Sequence, residues 1–99
     1  MELNERVQEL GLVVGRVVEV AEHPGARAPS YLLTIDLGPK GRQQATVPRG
    51  AYSTDDLEGM QIVCAPLGEE VLVLTAHSHA AGAVLVKPER DVEEGSVVG

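Results

Sequence analysis

The chain has 99 residues, is 43% hydrophobic and 2% aromatic, and carries a formal net charge of −7. That length supplies one core and not two. With Tyr31 and Tyr52 as the only aromatics, the core has to be built from Val, Leu, Ile and Ala, a composition that suits strands. A single cysteine, Cys64, excludes an intrachain disulfide and fits a reducing compartment. No apolar run approaches the ~20 residues that span a bilayer, and the acidic start MELNERVQEL lacks the order of a secretory leader. One cytoplasmic domain over residues 1–99 is expected.

Leu3, Val7 and Leu10 form one apolar stripe on a short N-terminal helix that Gly11 ends. Such a helix is marginal alone, so its stripe has to dock on the fold or on a second subunit. LVVGRVVEVAE reads as the first long strand, residues 12–22. Val14, Arg16, Val18 and Val20 then share one face, and Val13, Gly15, Val17 and Glu19 the other. Gly15 is expected to mark a bulge or bend. After the proline-studded HPGARAP, SYLLTIDLG is a second strand with Tyr31, Leu33, Ile35 and Leu37 on one face. PKG is a tight turn and RQQATV a third strand, which makes a hairpin with basic residues at its tip. STDDLEG starts a helical turn, with Ser53 as N-cap, Asp55 and Asp56 in the first turn and Gly59 as terminator. MQIVCAPL and EEVLVLTA read as strands four and five, HSHAAG as a loop, and AVLVKP as a short sixth strand.

Five or six strands, a glycine in strand one and a helical turn between strands three and four suggest an all-β OB-fold. That is a small five-stranded Greek-key barrel, here with a short N-terminal helix. On this pattern alone an SH3-like barrel or a small sandwich stays open.

Charge is divided unevenly. Residues 16–49 carry +2, from Arg16, Arg27, Lys40, Arg42 and Arg49 against Glu19, Glu22 and Asp36, whereas residues 50–99 carry −7. The five cations could line one rim and hold phosphates, or they could be solvated turn ends. Tyr31 is expected to pack; two tyrosines make a poor platform for stacked bases. His77 and His79, with His23 or Cys64, lack further ligands at a standard zinc spacing, so no metal is expected. Cys64 lies in an apolar strand and reads as a core residue. There is no nucleophile–base set, phosphate loop or paired carboxylate, so neither catalysis nor a cofactor is expected.

VVGRVVEVAEHPGARAPSYLLTIDLGPKG resembles the opening of the CsaA-like proteins, part of the tRNA-binding-domain family found fused to methionyl- and phenylalanyl-tRNA synthetases. Val14, Gly15, Arg16, Val17, His23, Ala26, Arg27, Pro29, Ser30, Tyr31, Leu33, Ile35, Asp36, Leu37 and Gly38 carry the resemblance. Tyr52, Leu57, Gly59 and Val63 continue it, and GAVLVKPERDVEEGSVV resembles the family's closing stretch. The resemblance implies an OB-fold homodimer that binds structured RNA, above all tRNA, and for the CsaA branch a chaperone role in protein export.

The chain departs from the family at four points. QQATVPRGAY stands where the family has a serine-rich RNA-facing segment, and APLGEEVLVL lacks a basic stretch of roughly ten residues. Val13 replaces a frequent arginine and Gly11 an aspartate. The expected RNA-facing residues are Arg16, Arg27, Ser30, Lys40, Arg42, Gln43, Gln44 and Arg49. The alternative is a protein-binding or export-chaperone module whose clients are unfolded or secretory chains, with little affinity for RNA.

Overall fold

The computed structural model describes residues 3–23, 25 and 27–99. Ala26 of the family motif and the side chain of Leu3, expected on the helical stripe, lie outside the described residues. Helix α1 (Leu3–Glu9) is followed by strands β1 (Val13–Glu22), β2 (Ser30–Asp36) and β3 (Arg42–Pro48), helix α2 (Thr54–Leu57), and strands β4 (Gln61–Leu67), β5 (Glu70–Val73), β6 (Thr75–Ser78) and β7 (Gly82–Leu85). One antiparallel sheet has the order β3-β2-β1-β4-β5, and β3 comes round to meet β5. The result is the nearly closed OB-type barrel expected from the strand pattern.

Strict alternation drives the central hairpin. Tyr31, Leu33 and Ile35 of β2, with Leu37 just beyond it, turn into the core beside Ala45 and Val47 of β3. Val13, Val17, Leu57, Ile62, Cys64 and Val71 complete the core. Leu57 comes from α2, whose start is a capping box: the Ser53 amide donates to Asp56 Oδ2 at 2.9 Å and the Asp56 amide to Ser53 Oγ at 3.2 Å.

Three expectations are corrected. The register of β1 against β2 slips between Val17 and Glu19, so the bulge lies at Val18 and not at Gly15. Beyond it the faces exchange, and Val20 packs on the core while Glu19 is exposed. Gly15 instead admits a close approach: a Cβ there would lie 2.5 Å from Ile35 Cγ2 and 2.9 Å from Leu37 Cδ2. EEVLVLTA breaks at Leu74 into β5 and β6, because the Leu74 amide turns to the Val63 carbonyl at 3.0 Å. The expected loop HSHAAG is strand through Ser78, and β6 and β7 form a separate hairpin. That hairpin is tied to the barrel through Leu85, whose amide donates to the Tyr52 hydroxyl at 3.0 Å.

The C-terminal segment closes the barrel where β2 stops. The Val14 amide donates to the Ser96 carbonyl at 2.9 Å, Gly95 to Val14 at 2.7 Å, and Val98 to Leu12 at 3.0 Å. Gln61 holds the same segment through two bonds to the Val92 backbone, at 2.6 and 3.0 Å. Gly38 and Gly95 lie against each other's chain: a Cβ at Gly38 would strike the Glu94 carbonyl, and one at Gly95 would lie 2.7 Å from the Leu37 carbonyl oxygen. Both have positive φ (66° and 90°), so glycine is required twice over.

Candidate nucleic-acid interface

The outer face of β1, β2 and β3 is built from cross-strand rows. Arg16, Asp36 and Arg42 are in register, as are Glu19, Thr34 and Gln44, and Ala21, Leu32 and Thr46. Residues opposed in register share a face. Gln44 therefore sits on this outer row, whereas Gln43 is paired with the core residue Ile35 and takes the opposite face.

Of the eight expected site residues, Gln43 and Gln44 lie along β3, and the other six divide among three positions. Lys40 in the β2–β3 turn and Arg42 at the start of β3 lie at the hairpin tip, and neither has an ion-pair partner among the described residues. Arg27, Ser30 and Arg49 lie at the opposite end of the hairpin, together with Glu22 and His23, around a cleft of about 350 Å³. Seven residues of extended chain separate the two ends, a distance of about 20 Å. No single phosphate can bridge them, but a longer backbone can touch both.

Arg16 occupies the third position and is fully engaged. Its Nε donates to Glu94 Oε1 at 2.6 Å, Nη1 to the Gly59 carbonyl at 2.8 Å, and Nη2 to Asp91 Oδ2 at 3.4 Å. The bond from Arg16 holds the Glu94 carboxyl below the usual glutamate range, and Glu94 in turn raises the arginine. Arg16 thus clamps the C-terminal segment onto β1. The acids it gathers, Asp91 and Glu94, belong to the strongly acidic half of the chain.

Arg49 is also positioned. Its amide donates to the Pro29 carbonyl at 3.0 Å, its Nη2 to Glu22 Oε1 at 2.6 Å, and its guanidinium carbon lies 5.2 Å from the centre of the Tyr31 ring. Tyr31 is buried, as expected, and its hydroxyl donates to the Tyr52 carbonyl at 2.8 Å. The residues missed from sequence here are Glu22 and His23. Glu22 is in register with Tyr31, which brings it to Arg49 from 27 positions away.

Other candidate chemistry is absent among the described residues. No group of three metal-ligating side chains occurs, and no helix is long and apolar enough to cross a membrane. Cys64 is buried in β4, and burial pushes its thiol up to about 11.

No family model matches the chain. Among solved structures, the chaperone CsaA of Bacillus anthracis superposes with a TM-score of 0.80 at 31% identity, covering 100% of this chain and 99% of that one. The CsaA chaperone protein of Picrophilus torridus gives a TM-score of 0.80 at 26% identity, over 89% and 90% of the two chains. The methionine–tRNA ligase of Thermococcus onnurineus is 31% identical across 93% of the chain, and that of Methanocaldococcus jannaschii 28% identical across 93%. The chain spans only 14% and 15% of the length of these two ligases. The Bacillus anthracis likeness runs end to end through both chains, and with it the chain belongs to the CsaA-like proteins of the tRNA-binding-domain family.

Proposed function

We propose that this chain is a non-catalytic OB module that binds structured RNA, tRNA in particular, through the outer face of the β2–β3 hairpin and its two ends. The observation that carries this reading is the pairing pattern of the cations. Arg27, Lys40 and Arg42 have no ion-pair partner among the described residues, while Arg16 takes up Asp91 and Glu94 of the C-terminal segment. A face with unpaired cations about 20 Å apart can hold a folded phosphate backbone at two points without reading bases. Gln44 and Ser30 supply hydrogen-bonding groups along the same hairpin.

The molecule works as a homodimer in this proposal. Leu10 is 66% exposed and Val97 62% exposed. Both lie where α1 meets the chain end, the Gln8 side chain donating to the Gly99 carbonyl at 3.3 Å. A second copy covering this patch would bury both residues and present two RNA-binding faces, which raises avidity. Sedimentation of the wild-type chain as a dimer and of Leu10→Glu, Val97→Glu as a monomer is the expected result.

The experiment for the RNA reading is a gel-shift titration with bulk tRNA, comparing the wild-type chain with Arg27→Ala, Arg42→Ala. Retained binding in that double variant contradicts the reading. A second reading, a chaperone-like module for apolar peptide segments, draws on Leu67 and Leu72, each 56% exposed beside the β4–β5 turn. Peptide binding without tRNA binding would favour it.

A further inference from the structure

The cleft at the open end of the β2–β3 hairpin holds an unusual set of partners. Two backbone bonds fix its walls: the His23 amide donates to the Ser30 carbonyl at 3.1 Å, and the Arg49 amide to the Pro29 carbonyl at 3.0 Å. Arg49 and His23 line the cleft, and Arg49 Nε and His23 Nδ1 are buried and find no hydrogen-bond partner among the described residues. A buried donor without an acceptor is costly, so a turn of the Arg49 fork that brings Nε to an anion with several oxygens relieves that cost. Arg27 lines the same cleft and has no ion-pair partner among the described residues. The Ser30 hydroxyl, at the rim, donates its one proton to the Ala28 carbonyl at 3.0 Å and reaches an anion only by turning away from that carbonyl.

One carboxylate already occupies part of this site. Glu22 Oε1 lies 2.6 Å from Arg49 Nη2, and the Glu22 side chain is 72% exposed. It is therefore free to swing into water once a stronger anion arrives. Arg49 stays at the cleft, its backbone amide bonded to the Pro29 carbonyl and its guanidinium carbon 5.2 Å from the centre of the Tyr31 ring.

We infer that Arg27 and Arg49 form a phosphate subsite, with Ser30 at its rim, and that Glu22 is its built-in competitor, holding Arg49 until a phosphate group displaces the carboxylate. The inference rests on the RNA reading only for the source of that phosphate. Glu22 then weakens every anion at this site by a modest factor, which a phosphodiester anchored elsewhere on the same RNA, at Lys40 and Arg42, overcomes through proximity.

The test is an amide-resonance titration of the full chain with inorganic phosphate, against chloride at equal ionic strength, and then with tRNA. Wild type, Glu22→Gln and Arg27→Ala are compared. Both changes are at exposed positions and conserve the core. Phosphate is expected to move the amides of His23, Arg27, Ser30 and Arg49. An exposed ion pair contributes little, so its removal in Glu22→Gln should tighten phosphate by about two- to five-fold; Arg27→Ala should weaken it. Phosphate that leaves these amides unmoved, or binds Glu22→Gln no more tightly than wild type, overturns the inference. So does tRNA that binds without moving them, an outcome that leaves the RNA reading intact. Phosphate that behaves as expected while tRNA fails to bind supports the subsite, makes free phosphate its occupant, and removes the RNA reading.

Discussion

Replacing Gly15 with alanine tests how β1 packs on the β2–β3 hairpin. Gly15 does not have a positive φ, so alanine fits the backbone, and alone it would stabilise the chain by about 0.4–1 kcal/mol through the unfolded state. The packing opposes this. The new Cβ would lie 2.5 Å from Ile35 Cγ2, 2.9 Å from Leu37 Cδ2 and 3.3 Å from the Asp36 carbonyl oxygen. Ile35 and Leu37 are fully buried, so neither can swing away cheaply. Overpacking of this kind costs about 1–3 kcal/mol. Set against the backbone gain, the net cost centres on about 1 kcal/mol, and with a urea m-value of about 1 kcal/mol/M for a domain of this size the midpoint should fall by about 1 M.

Ile35→Ala removes Cγ2 and by itself costs about 2–5 kcal/mol. Adding Gly15→Ala to it should then cost about 1–2 kcal/mol less than Gly15→Ala costs in the wild type, because the nearest colliding atom is gone. Equilibrium unfolding in urea of the two single variants and the double variant closes the cycle. Additivity within about 0.5 kcal/mol would refute the packing argument and return Gly15 to a purely backbone role.

The Arg16 clamp predicts a sign for acid stability. Glu94 has its pKa lowered in the fold, so its contribution is complete above the usual glutamate range and is lost as pH falls through the lowered value. Glu94→Gln should therefore reduce stability at pH 7 and flatten the loss below about pH 4.5, read from urea midpoints across pH. Cys64, with its thiol pushed up to about 11, should react with a disulfide reagent at pH 8 far more slowly in the folded chain than in urea; equal rates would contradict the burial. Tyr52→Phe leaves the Leu85 amide without its acceptor and should cost about 1–2 kcal/mol, with faster amide exchange confined to β6 and β7.

The β2–β3 hairpin was legible in the sequence because its apolar residues keep strict period two from Tyr31 to Leu37, and a helical start was legible at Ser53 because the capping residues stand three apart. The bulge at Val18 was not. Valines at 17, 18 and 20 satisfy either face, so the alternation carries no mark of an inserted residue. The break at Leu74 hides in the same way inside the apolar run VLVL. The candidate site was half legible. The basic residues at the hairpin tip follow from the turn, but the partners that decide which cations are free come from far away. Glu94 reaches Arg16 across 78 positions, and Glu22 reaches Arg49 across 27. Charge counting places these residues in opposite halves or at opposite strand ends; only the closed sheet brings them within bonding distance.

The most direct measurement is the dissociation constant for tRNA as a function of salt. Three to four phosphate contacts, through Arg27, Lys40, Arg42 and Arg49, release counterions and give a log–log slope of about −2 to −3, made shallower by about 1.5 in Arg27→Ala, Arg42→Ala. A flat salt dependence, or a slope the two substitutions leave unchanged, would contradict phosphate recognition by this face.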